Sequence, residues 1–196
     1  KVLKSLSVLL KESSLLTQKV IFECQGAEGW TYGYEVRYKD KNGVIVTKLV
    51  KEKNVISSAF NSKYKAEAEA KKGLKLEKIG IPIPKMYGVN KAAIYQDFIK
   101  HDSLSEEIER IKVGNHTETK KSLDQLISIA TKLDQSGYRT LGFVRDLIFD
   151  NDKKQFLYVD YGFDLGASGK TSSNYNLENL ATMFPKARNY ILSFKS

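Results

Sequence analysis

Residues 146–162, DLIFDNDKKQFLYVDYG, decide how this chain is read. Two short apolar runs, Leu147–Phe149 and Phe156–Val159, flank the polar stretch Asp150–Lys154, the pattern of two strands joined by a tight turn. Asp146 stands just before the first strand and Asp160 just after the second. Antiparallel pairing therefore predicts both carboxylates at the open end of one β-hairpin. Two carboxylates so placed repel each other, and a divalent cation relieves the repulsion while leaving coordination positions for phosphate oxygens.

Working outward, Leu123, Leu126, Ile127, Ala130 and Leu133 recur at helical spacing over 120–135, and Gly137 marks a stop. Ile94–Ile99 reads as a strand. Residues 57–79 contain no proline and are rich in Ala, Glu, Lys and Leu, which predicts a helix ending at Gly80, with Pro82 and Pro84 holding the next stretch extended. Lys19–Glu23, the stretch YEVRYKD and the β-branched run Val44–Val50 read as strands, with the Asn42-Gly43 pair as a hairpin turn. Residues 1–16 carry Val2, Leu3, Leu6, Leu9 and Leu10 at helical spacing, and a docked helix is expected over 1–18. Asn176–Phe184 closes the chain as a helix.

The 196 residues fit one domain or two small lobes, and 41% hydrophobic with 28% charged residues is ordinary globular composition. One cysteine, Cys24, excludes an internal disulfide and fits a reducing compartment. With two histidines besides, a zinc site is not supported, and His101 and His116 read as solvated. No apolar run is long enough to span a bilayer, and no secretory signal is present. The chain opens on Lys1, so upstream residues are expected. The net charge of +9 is spread among acids, and no nucleic-acid-binding motif accompanies it.

From about residue 20 to about residue 184 the order of elements resembles the protein-kinase fold. A glycine-rich hairpin is followed by a strand with a lysine, a helix with a glutamate, a hinge strand, a long helix, a loop and a metal-binding hairpin. VTKLV resembles the lysine-bearing third strand and nominates Lys48. Counting back from Gly80 nominates Glu69 as its helix partner, with Glu67 as runner-up. IYQDFI resembles the hinge, laying Gln96, Asp97 and Phe98 along the adenine. Gly26, Gly29, Gly33 and Val36 stand in for the glycine loop at wider spacing than the family pattern. Asp160-Tyr161-Gly162 resembles the metal-binding Asp-Phe-Gly motif. The resemblance implies an α+β, two-lobed fold over 1–196, with a small β-rich N-lobe and hinge over 19–99 and a truncated helical C-lobe over 100–196. It implies ATP with Mg²⁺ or Mn²⁺ held between the lobes, Asp146 and Asp160 on the metal, and transfer to a protein hydroxyl. A protein substrate or activator is expected, and a cytoplasmic location, in the host cytosol if the chain is a secreted bacterial effector. The brevity after Gly162 is similar to compact kinases that bacterial pathogens inject into host cells, and to small archaeal-type kinases of tRNA modification.

The departures are specific. Asp146 stands where the family has an asparagine, and Leu141 stands where the catalytic aspartate is expected. No acid occurs between Asp134 and Asp146, so Asp146 is the candidate for both metal binding and catalysis. A second alignment reads Val144-Arg145-Asp146 as the His-Arg-Asp motif with Asn151 following, but it puts Asn151 inside the hairpin turn. The missing aspartate motivates an alternative, a pseudokinase that binds a partner and catalyses nothing. A small-molecule kinase of the aminoglycoside type ranks below both, because its His-Gly-Asp loop is absent.

Overall fold

A computed structural model of the chain describes residues 14–26, 29–55, 62–90, 93–114, 116–160, 165–167 and 173–195. The fold is α+β, and the chain divides into two compact units: Lys1–Lys72 with Pro84–Lys100, and Gly73–Ile83 with His101–Ser196.

The first unit is built on a five-stranded antiparallel sheet in the order β1-β2-β3-β5-β4. Its strands are β1 (Ser14–Gly26), β2 (Gly29–Lys39), β3 (Ile45–Val55), β4 (Met86–Asn90) and β5 (Ala93–Asp97). The helix expected over 1–18 is corrected at Ser14–Gln18, which belong to β1; residues 1–13 lie outside the described residues. Leu15 pairs with Tyr38 of β2 and packs on a buried tyrosine cluster, which makes strand the better use of that leucine. Asn42-Gly43 forms the β2–β3 turn as expected, with Asp40 Oδ1 accepting the Asn42 and Val44 amides and Gly43 at φ 78°.

Alternation gives the sheet two different faces. On one, Tyr34, Val36, Tyr38, Val50, Ala93 and Tyr95 form a buried cluster. Glu52 is buried there as well, hydrogen-bonded by the Tyr34 and Tyr95 hydroxyls. Burial, reinforced by the charge of Glu52, pushes the Tyr95 hydroxyl up to about 12, so it stays a protonated donor. On the other face Ile94 packs against Ala66 and Ala70 of helix α1 (Ser62–Lys78).

In the second unit, helix α1 ends in a Schellman motif: the Ile81 amide bonds the Leu76 carbonyl at 3.0 Å and the Gly80 amide bonds Glu77 at 2.9 Å, with Gly80 at φ 80°. Beyond it lie α2 (Leu104–Val113), α3 (His116–Gln135), α4 (Tyr175–Met183) and α5 (Arg188–Leu192), the last preceded by a 3₁₀ turn over Pro185–Ala187. Two small two-stranded sheets complete it. β6 (Tyr138–Thr140) pairs with β9 (Leu165–Ala167), and β7 (Leu147–Asp150) pairs with β8 (Gln155–Tyr158). The amphipathic helix read over 120–135 is the body of α3, whose Leu123, Leu126, Ile127, Ala130 and Leu133 are buried. Helix α2 is an element that the sequence reading left undescribed; Asp102 Oδ1 accepts the Leu104 amide at its start. Among the described residues no helix is long and apolar enough to cross a membrane.

Helices α2 and α3 are joined by Glu107, which is buried and accepts bonds from Arg110 Nε (2.8 Å), Arg110 Nη2 (2.6 Å) and the Ser122 hydroxyl. The Arg110 guanidinium, helped by Ser122 and against the opposing effect of burial, holds the carboxyl below its ordinary value of 4.5. A carboxyl depressed on folding contributes stability above its unfolded pKa and loses it as pH falls through the folded value. Acid titration is therefore expected to remove this contribution below pH 4.5. Glu107→Gln should flatten the loss, as followed by urea unfolding midpoints across that range; an unchanged pH slope would contradict the assignment.

Candidate functional site

The strand expected to stop at Val50 continues to Val55, through Lys51, Glu52, Lys53 and Asn54. On this extension Lys53 Nζ meets Glu69 Oε1 of α1 at 2.7 Å, with the lysine side chain 16% exposed and the glutamate 5%. Lys48 was expected to make this contact, and that is corrected. The two lysines are five positions apart, an odd offset, so they project from opposite faces. Lys53 stands opposite Ile94, on the face packed by α1, and Lys48 stands opposite Val36, on the tyrosine face. There the Lys48 ammonium lies over the rings of Tyr38 (5.3 Å) and Tyr87 (5.4 Å). Of the two glutamates considered, the structure puts Glu69 on the strand lysine; Glu67 is exposed.

The same alternation sorts the remaining candidates of the first unit. Gln96 is buried opposite Lys51, on the Lys53 face. Gly33 also belongs to that face. It lies within β2 rather than in a loop, and a Cβ there would meet the Phe98 ring at 2.9 Å and Phe22 Cβ at 3.0 Å. Phe98 and Phe22 pack with ring centroids 5.5 Å apart, so glycine at 33 makes room for an aromatic pair. Gly33 therefore stands in a strand and not in the turn. Gly33→Ala is expected to cost about 1–3 kcal/mol by overpacking; chemical denaturation checks it, and an unchanged midpoint would mean that Phe98 yields freely.

Val36 and Asp97 go to the tyrosine face. Val36 is wholly buried in the cluster. Asp97 Oδ1 accepts the Tyr87 hydroxyl, whose pKa is raised by burial and then by that bond. The Asp97 and Phe98 amides bond Lys85 O and Leu49 O. Gly26 and Gly29 pair with each other where β1 turns into β2; the two residues between them lie outside the described residues. Thr31, two residues on from Gly29, stands directly opposite Lys53. The glycine turn and the Lys53–Glu69 pair therefore share one end of the sheet.

In the second unit the expected hairpin forms, with Leu147 opposite Tyr158. The Asp146 carbonyl accepts the Val159 amide at 2.8 Å and the Asp160 amide at 3.4 Å, so the two aspartates come together at its open end. Asp146 is 1% exposed and its Oδ2 accepts the Tyr158 hydroxyl at 3.0 Å; Asp160 is half-buried. Tyr161 and Gly162, the rest of the Asp-Tyr-Gly motif, lie outside the described residues. Leu141 is 64% exposed in the loop leading to Asp146.

That loop is anchored by Asn176, which the sequence reading passed over. Its side chain is wholly buried. Oδ1 accepts the Thr140 amide (3.2 Å) and hydroxyl (3.0 Å), and Nδ2 donates to Tyr138 O (2.7 Å) and Asp134 Oδ1 (2.8 Å). The Asp134 carboxylate, at the end of α3, also accepts the Asn176 and Leu177 amides in the first turn of α4. Burial raises the Asp134 pKa, and these bonds oppose the rise. The one available signal was an asparagine at the first position of a predicted helix.

Chemically, one unit offers a lysine fixed by a helix glutamate, and the other offers two carboxylates on one rigid hairpin. Among the described residues no three His, Cys, Asp or Glu gather for a metal. Asp146 and Asp160 are instead a pair of hard oxygen donors, the number with which Mg²⁺ is held when substrate phosphates complete its shell. Two carboxylates fall short of the four-ligand set of a structural zinc site. Neither a scan against protein-family models nor a search of curated proteins matches this chain.

Proposed function

We propose that the chain is a minimal, kinase-like phosphotransferase, two-lobed in the kinase manner, that uses Mg-ATP and transfers the γ-phosphoryl group to a protein hydroxyl. The observation that carries this reading is the buried Lys53–Glu69 pair between a central strand and the helix packed on it. That pair is a part kinase chemistry requires to hold the phosphates. The strand order, the placement of Gln96 near the end of β5 and of Phe98 just after it, and the Asp146–Asp160 hairpin support it.

In this reading Lys53 binds phosphate oxygens and Glu69 fixes its direction. Gln96 and Phe98 line the base on the same sheet face. Asp160 and Asp146 hold Mg²⁺, which supplies charge neutralisation when bound. Asp146 is the only carboxylate from Arg139 to Asp146 and takes the proton of the acceptor hydroxyl. The acceleration comes from positioning and electrostatics rather than covalent chemistry.

A second reading, a nucleotide-binding pseudokinase, rests on Leu141, an exposed aliphatic side chain where the catalytic aspartate is expected. Label transfer from γ-labelled ATP with Mg²⁺ or Mn²⁺ separates the two. Label on the wild type, lost in Asp160→Ala and Asp146→Asn, is the expected result. No label on any of them, with ATP still raising the melting temperature, supports the pseudokinase; equal label on all three contradicts both site assignments.

A further inference from the structure

Along the outer side of α3 the second unit carries a cavity of about 830 Å³ whose walls hold, among the described residues, five lysines, Lys120, Lys121, Lys132, Lys153 and Lys154, against one acid, Asp124. The lysines come from two segments remote in sequence and are set on a rigid frame. Gln125 of α3 donates to Lys154 O (3.1 Å) and accepts the Phe156 amide (3.0 Å), clamping the β7–β8 turn to the helix. The Lys132 ammonium donates to Gly80 O at 2.6 Å. Asp124 accepts the Tyr190 hydroxyl at 2.7 Å. The floor is apolar and sealed: Ile129 and Phe156 are buried. A second hollow of about 370 Å³ shares Asp124, Ser128 and Lys132 and adds Tyr190 and Phe194. Phe194 is 44% exposed and meets Tyr190 edge-on at 5.4 Å.

Lysines spread over a convex surface are solvated singly and mean little. Here they converge on a concavity, where low-dielectric walls focus their common field and raise the local concentration of anions. An aromatic step at one end adds an apolar seat. We propose that this groove docks an acidic segment of a partner protein, its carboxylates along Lys120, Lys121, Lys153 and Lys154 and one bulky apolar side chain against Phe194. A polypeptide suits it better than nucleic acid. Among the described residues no arginine fork lines the cavity for phosphates, and the Lys120 ammonium lies over the Tyr190 ring at 5.9 Å, where a base would stack. The groove lies wholly within the second unit and does not depend on the phosphotransfer reading.

The test is binding of the full chain to a random glutamate–tyrosine copolymer at low salt, with polyglutamate and poly(U) alongside. Lys121→Glu/Lys153→Glu should weaken copolymer binding by at least about tenfold, because like charges then face each other. Lys39→Glu/Lys41→Glu, equal in charge change but on exposed residues of the first unit, should not. Phe194→Ala should weaken the copolymer severalfold and leave polyglutamate unchanged. Equal losses in both charge variants would reduce the effect to net charge and overturn the groove. Failure of the wild type to bind the copolymer, or poly(U) binding that is the more sensitive to the groove variant, would overturn the acidic-protein partner.

Discussion

Lys53→Met is expected to lower phosphoryl transfer by about 10²–10³-fold, the cost of removing one preorganised charge-stabilising group. Lys48→Met, on the same strand, should stay within about threefold of wild type, because its ammonium lies over the Tyr38 and Tyr87 rings on the face opposite Glu69. The contrast follows from strand parity. Lys53 projects onto the face of α1 and meets Glu69, whereas Lys48 projects onto the tyrosine face and lies over Tyr38 and Tyr87. Methionine keeps most of the lysine stem, so packing beside Ile94 and the helix alanines is largely retained. Circular dichroism on both variants separates a lost site from a lost fold. The reverse result, with Lys48→Met inactive and Lys53→Met active, would mean that the phosphates are handled from the other side of the sheet.

Asn176→Ala should lower unfolding stability by about 3 kcal/mol, since removing one partner leaves several buried donors and acceptors without a bond at roughly 1–3 kcal/mol each. The groups at stake are the Thr140 amide and hydroxyl, the Tyr138 carbonyl and the Asp134 carboxylate. They belong to the end of α3, to β6 and to the start of α4. The loss should therefore appear as a lower urea midpoint together with faster amide exchange at Thr140, which precedes the Leu141–Asp146 loop. Asn176→Asp is expected to destabilise as well, because it sets a second carboxylate beside Asp134, and the effect should grow as pH rises and both ionise. A midpoint within about 0.5 kcal/mol of wild type for Asn176→Ala, the range of an ordinary surface change, would show that the network is dispensable.

The parts legible in the sequence are those whose pattern depends on one period. The β7–β8 hairpin was readable because apolar runs flank a polar turn, and pairing alone then brings Asp146 to Asp160. The body of α3 was readable from a single apolar face. The misplacement of the strand lysine has a definite cause. The β-branched run ends at Val50, but the strand continues through charged residues because each finds a partner on its own face: Glu52 among tyrosine hydroxyls, Lys53 at Glu69. Composition cannot forecast such pairing, since it needs the third dimension. The same blindness put Val36 and Asp97 with Gly33, Gln96 and Phe98, when alternation sends them to opposite faces. Residues 14–18 ended a stretch read as helix from the leucines before them, yet pairing with β2 seats Leu15 on the buried tyrosine cluster. Asn176 was hidden for a related reason: a buried polar residue announces itself only through partners more than thirty positions away.

The most direct test of the account is calorimetric titration of the wild-type chain with ATP, with and without Mg²⁺, because it needs no knowledge of the acceptor. The account predicts saturable binding that strengthens with Mg²⁺, with the Mg²⁺ dependence lost in Asp160→Ala and the ATP affinity reduced in Lys53→Met. Absence of any ATP binding by the folded wild type, in either condition, would contradict it.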